Sequence, residues 1–159
     1  MTSISAATNP APARSTFHDQ GFLLDTNVPS ELTRIKPDPR VARWLEAAND
    51  NLLYLSVISI GEFCKGFTVH PEQHRRAGLR QWLDNTLRPW FDARILPVSE
   101  AIAERWGILE GQCQLKGRPV NAPDGLIAAT ALEHDLTIVT RNVKDFAGLG
   151  VEILNPWET

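Results

Sequence analysis

Five polar side chains occupy positions where chemistry could use them: Asp25, Glu62, Asp124, Asn142 and Asp145. Asp25 closes the apolar run Phe22-Leu23-Leu24 and is followed at once by Thr26-Asn27. A carboxylate at the end of a buried strand is costly unless something at that spot needs it. Glu62 falls in the first turns of a helix expected after a second apolar run, and Asp124 opens an Ala-rich helix directly after Pro123. Asn142 and Asp145 follow a further run, Thr137-Ile138-Val139-Thr140. Each has a plainer reading. Asp124 could serve only as a negative charge at a helix N-terminus, Glu62 as a solvated helix residue, and Asp145 as a turn former. No pair is specific by spacing alone, so the case depends on whether the fold brings them together.

The elements that must do so are short apolar strands alternating with helices. Strands are expected at 22–24, 52–57, 94–98, 137–140 and 151–154. Asp38-Pro39 starts a helix whose Val41, Trp44, Leu45 and Ala48 share one face. Ile60, Phe63, Cys64 and Phe67 repeat at helical spacing. A longer amphipathic helix begins at Pro71, Ser99 caps another, 115–123 reads as a loop, and a last helix covers 124–134. This alternation requires crossover connections, hence a mainly parallel sheet of about five strands between helical layers, a single-domain α/β/α sandwich. Ligands of such sheets gather beyond the carboxyl ends of the strands. Asp25, Glu62, Asn142 and Asp145 follow strands there and Asp124 opens a helix, and all five are expected at one edge. Clustered carboxylates repel one another unless a cation sits among them. Oxygen ligands without His or Cys favour Mg²⁺, with Mn²⁺ as a substitute, over zinc. The chemistry implied is metal-dependent hydrolysis of a phosphodiester.

A chain of 159 residues, 43% hydrophobic and 22% charged, is most simply one ordinary globular domain. Residues 1–20, rich in Ala, Ser, Thr and Pro, read as a flexible tail ahead of a domain at 21–159. No run is long enough to span a membrane. Cys64 and Cys113 lie outside any CxxC or Cys/His spacing and are expected as buried free thiols in a reducing cytoplasm. The net charge of −3 argues against an indiscriminate nucleic-acid coat but leaves room for a local basic face.

The stretches LLDTNVPSEL, SVISIGEFCKG, APDGLIAATALEHDLTIVTRNVKDF and VEILNPW together resemble the PIN-domain ribonucleases, specifically the VapC toxins of type II toxin–antitoxin modules and their FitB-like relatives. The resemblance runs from about Phe22 to Trp157. It implies Mg²⁺ or Mn²⁺ held by Asp25 and Asp124, with Glu62 as the third acidic residue. The fourth position is filled by Asn142 or Asp145, because relatives carry Asp where this chain has Asn142. The resemblance further implies endoribonuclease activity on structured RNA (transfer or ribosomal), a homodimer, and inhibition by a cognate antitoxin. An acidic pocket needs cations to hold RNA. Lys65, one helical turn from Glu62, and Arg141, before Asn142, are expected to contact substrate, as are Asn27, Arg75 and Arg76.

Two rivals remain at this point. A phosphatase with a nucleophilic Asp25 normally has a second acid two positions on, where this chain has Asn27. A binding module without nuclease activity would be marked by a lost acid, yet Asp25, Glu62 and Asp124 are all present.

Overall fold

A computed structural model describes residues 20–159. The expected tail therefore lies outside the described residues except for Gln20, which is fixed: its amide donates to Thr137 Oγ1 (2.9 Å) and Glu152 Oε2 (3.2 Å).

Five strands, β1 (Phe22–Leu24), β2 (Leu53–Ser56), β3 (Ile95–Leu96), β4 (Thr137–Val139) and β5 (Ile153–Leu154), form one sheet in the order β3-β2-β1-β4-β5. Every pairing is parallel, with Phe22 opposite both Leu53 and Thr137. The chain winds outward from β1 through β2 to β3, then returns to lay β4 on β1's other side. The winding direction changes between β1 and β4, which is where a crevice opens at the carboxyl edge of such a sheet.

Side-chain alternation divides the interior in two. Leu24, Leu53, Leu55 and Val139 face α2 (Pro39–Ala47), α4 (Gln73–Trp82) and α5 (Arg88–Phe91), packing with Val41, Leu45, Leu83, Leu87 and Phe91. Leu23 and Ile138 face the other way, toward Cys113 of α6 (Glu100–Leu115), Ile127, Ala128 and Ala131 of α7 (Ala122–His134), and Phe146 of α8 (Val143–Phe146). Both layers of the expected sandwich are present.

Local chemistry sets the ends of the helices. Asp38 caps α2, accepting from Arg40 N, with Pro39 at the first helical position. Ser56 caps α3 (Val57–Val69) by accepting from Ile58 N at 3.0 Å. Val57, expected in the strand, thus becomes the first residue of the helix. The long amphipathic helix expected from Pro71 is interrupted by a π turn at Leu83–Leu87 just before Pro89. Proline lacks the amide an α-helix would bond there, and the wider turn accommodates that break. Cys113 is buried as expected, but Cys64 is only half-buried, beside the Arg80 guanidinium. Two short helices were not foreseen: α1 (Asn27–Glu31) directly after Asp25-Thr26, and α8.

Candidate active site

Asp25 is buried at the junction of β1 and β4. Its amide extends the ladder one residue past β1 by donating to Val139 O at 2.9 Å. Its carboxylate accepts from Thr26 N (2.8 Å), Thr140 Oγ1 (2.7 Å) and Asn27 Nδ2 (3.3 Å). Burial outweighs these bonds, and with the nearby charges of Asp124 and Glu62 it raises the Asp25 pKa from 3.8 to about 6. Glu62, on α3, is tied to the same strand end through Thr26, whose hydroxyl lies 2.8 Å from Glu62 Oε1 and 3.0 Å from Ser59 Oγ.

On the opposite side, Asp124 occupies the third position of α7, whose cap is Asn121. The two residues satisfy each other: Asp124 N donates to Asn121 Oδ1 (2.9 Å), and Asn121 Nδ2 donates to Asp124 Oδ2 (2.7 Å). Asn121 is thus an N-cap whose side-chain nitrogen also meets the Asp124 carboxylate, so the plain helix-terminus reading of Asp124 is correct as far as it goes. It is also incomplete. Asp124 is half-buried, and burial raises its pKa, with further upward pressure from the charges of Asp145 and Glu62. Asp145, exposed on α8, lines a cleft together with Asp124.

The fold therefore brings all four acids to one edge, where Asp25 lies near the charges of Asp124 and Glu62, and Asp124 near those of Asp145 and Glu62. Among the described residues none of them is in an ion pair. A site of this sign lacking an internal counter-charge suits a divalent cation. Among the described residues no three His, Cys, Asp or Glu side chains close around a single point. The acids present fit Mg²⁺, which keeps several waters and needs only one or two carboxylates. Asn142 is exposed; it caps α8 without a side-chain bond to the helix, and its amide donates to Thr140 Oγ1. Of the two candidates for the fourth position, Asp145 is the one that shares a cleft with Asp124.

The expected substrate contacts change more. The Asn27 amide is committed inside the protein, donating to Asp25 and to Thr140 Oγ1 (3.3 Å) and accepting from Arg141 N (3.4 Å). It positions Asp25 and is not free for substrate. Arg75 donates to the Thr33 carbonyl, tying α4 to the segment after α1, and Arg76 donates to the His70 carbonyl, closing the turn before α4. The Arg141 guanidinium lies over the Trp157 ring, 5.5 Å from its centroid, beside Glu31 and Arg34. Lys65 is exposed on α3. Sequence reasoning missed Thr140, Thr26, Ser59 and Asn121. Only Asn121 carried a readable signal, an N-cap amide three residues before an acid.

Residues 22–150 match the PIN domain family. The VapC ribonuclease Y4jK of Sinorhizobium fredii is 35% identical over 137 residues, 86% of this chain and 98% of the relative. Toxin FitB of Neisseria gonorrhoeae is 36% identical over 136 residues, again 86% and 98%. The crystal structure of FitAcB from the same organism superposes with a TM-score of 0.81, covering 87% of this chain and 99% of that one. A toxin–antitoxin complex from Klebsiella pneumoniae is 30% identical, with a TM-score of 0.58 over 86% and 98%.

Proposed function

This chain belongs to the PIN-domain family, and on that premise we propose that it is the toxin of a toxin–antitoxin pair, a Mg²⁺- or Mn²⁺-dependent endoribonuclease held in check by a cognate antitoxin. One observation carries the reading: four carboxylates from four separate segments share one edge and, among the described residues, no cationic side chain is paired to them. The names of the relatives support the biological half, since one is called a ribonuclease, one a toxin, and a third structure a toxin–antitoxin complex.

In this reading Asp25 and Asp124 would hold the ion, with Glu62 as the third acid and Asp145 as the fourth. Held there, a divalent ion would supply an activated water and charge to offset that developing on the phosphoryl group. The chain's own residues supply the rest. Thr140, Asn27 and Thr26 N fix the Asp25 carboxylate, and their bonds favour its ionised, metal-binding form against the pull of burial. Thr26 orients Glu62, and the Asn121 amide orients Asp124. The substrate is structured RNA, and the working form is a homodimer in the cytoplasm. A phosphatase with nucleophilic Asp25 is less well supported: two positions on stands an amide bonded to the carboxylate, not a proton shuttle.

The test is incubation of purified protein with cellular RNA, with and without Mg²⁺, followed by sequencing of the new 5′ ends. Discrete cuts that need the ion and vanish in Asp25→Asn are expected. Cuts that persist with EDTA present, or in Asp25→Asn, would overturn the proposal.

A further inference from the structure

Beside the acidic edge lies a cleft of about 430 Å³, bounded by the connection between α6 and α7 on one wall and by α8 and the turn after it on the other. Asp124 and Asp145 belong to its lining, so it is continuous with the site. Three basic side chains line it as well: Lys116 and Arg118 from the first wall, Lys144 from the second. All three are exposed, and among the described residues none is engaged in an ion pair. The first wall is set by how α6 ends. Gly117 sits at φ +68°, in the left-handed region, so that Gly117 N donates to Gln114 O (3.0 Å) and Arg118 N to Cys113 O (2.9 Å). This double-bonded C-terminus fixes the backbone on either side of the glycine, and with it the points from which Lys116 and Arg118 project.

An acidic centre that works on a polyanion needs cations close by but not within it. None of the cations expected from sequence lines this cleft: Arg75 and Arg76 hold carbonyls, Arg141 lies against Trp157, and Lys65 is exposed on α3 outside the lining. The cleft has the cations, and its volume falls in the range of about 300–1,000 Å³ that small-ligand sites occupy, enough for one nucleotide. Its apolar lining includes Val120 and Leu149, against which the face of a base can rest.

Resting on the ribonuclease reading above, we propose that this cleft receives an unpaired nucleotide adjacent to the scissile phosphate, with Lys116, Arg118 and Lys144 gripping its flanking phosphates. The nucleotide must be unpaired because a base in a helix cannot be withdrawn into a cavity without leaving its stack.

The experiment measures fluorescence anisotropy of a labelled single-stranded RNA of about twelve nucleotides and random sequence, within the span such sites cover. All proteins carry Asp25→Asn so that nothing is cut. Lys116→Gln/Arg118→Gln/Lys144→Gln is compared with the parent over a salt series. A control, Lys36→Gln/Arg43→Gln/Arg105→Gln, removes three exposed charges that do not line the cleft. Each phosphate left without its cation flattens the log–log salt slope by roughly 0.7, so the slope of the cleft variant should be shallower by about two units. The control should keep the parent slope. Lys144→Gln alone, a change at an exposed side chain, should flatten it by roughly 0.7. Equal slopes for the cleft variant and parent, or equal flattening by the control, would overturn the proposal.

Cleavage of cellular RNA by the chain with Asp25 intact separates the two readings. Cleavage together with an unaltered cleft slope rejects the cleft and keeps the ribonuclease. Absence of cleavage with a flattened slope keeps the cleft as an RNA site and rejects the ribonuclease. Absence of both cleavage and binding rejects both.

Discussion

Asp25 and Glu62 stand on the side of the cluster where hydroxyls and amides already hold them, whereas Asp124 and Asp145 stand on the side that opens to solvent and the basic cleft. Asp25 is buried and accepts three hydrogen bonds, and Glu62 is tied to the same strand end through Thr26. Asp124 accepts from one amide of its own helix cap, and Asp145 is exposed. The difference teaches a division of labour. The inner wall is built before any ligand arrives, at a cost that shows in the raised pKa of Asp25. The outer wall meets what enters, and its acids are spaced among cations that accept the rest of a polyanion.

The largest effect expected is at the inner wall. Asp25→Asn should abolish RNA cleavage and calorimetric Mn²⁺ binding together, because the amide preserves much of the shape while removing the charge. Lost cleavage with unchanged Mn²⁺ affinity would mean that the ion is held elsewhere.

Thr140→Val should come next. It removes a buried hydroxyl that donates to Asp25 and accepts from Asn142 N. Loss of such a partner behind a metal ligand typically costs about 10–100-fold in affinity or activity, and the unmet groups cost about 1–3 kcal/mol of stability. Mn²⁺ titration and urea unfolding of the same sample measure both. An effect on stability alone would make Thr140 a packing residue and erase the contrast between the walls.

A smaller effect concerns pH. The Asp25 pKa is about 6 in the fold against an ordinary 3.8. Its contribution to metal-free stability is therefore fully present below the unfolded value and lost as pH rises through about 6. Without metal, the protein should lose stability from this group between about pH 4 and pH 7, and Asp25→Asn should remove that loss. With metal, affinity should weaken below about pH 6, where the proton competes for the carboxylate. Unfolding curves with EDTA across that window test the sign. A metal-free stability that rises through pH 6 in parallel for parent and variant would contradict it.

The smallest effect on the metal-free protein is expected at the outer wall. Asp124→Asn keeps an oxygen able to accept from Asn121 and removes one of several like charges. Metal-free thermal stability should stay within about 0.5 kcal/mol of the parent, while the stabilisation gained on adding Mg²⁺ should disappear. A sharp fall without metal, with a normal rise on adding it, would reduce Asp124 to its capping role.

Much of this was legible in the sequence because it is local. The five apolar runs, the caps at Asp38 and Ser99, and the carboxyl-edge placement of Asp25, Glu62, Asp124 and Asp145 all follow from patterns within a dozen residues. What was not legible was short or non-local. Helix α1 spans five residues with Pro29 inside it, too few for a periodic signal. Arg75 and Arg76 are charged in the sequence, but charge does not say that their partners will be backbone carbonyls. Lys116, Arg118 and Lys144 sit in segments without periodicity, and only the docking of α8 beside the end of α6 makes them neighbours. Gly125 is a similar case. A Cβ there would come within 2.9 Å of the Trp106 ring, so the glycine lets α6 press against α7 next to Asp124.

The order in which β1 finds its neighbours has a consequence for synthesis. The bond from Thr140 to Asp25 joins residues 115 apart, and β4 supplies one entire edge of β1. While the chain is emerging, β1 and β2 can pair, but Asp25 has neither Thr140 beside it nor Asp124 and Asp145 across from it until nearly the whole domain has left the ribosome. A truncated or stalled product ending before Thr137 holds two of the four acids on an unfinished sheet, plus Asp124 if it reaches that far, and it lacks the strand that would close the site. On the ribonuclease reading, the acidic edge is thus a late product of translation, assembled only once β4 and the residues that follow it are in place.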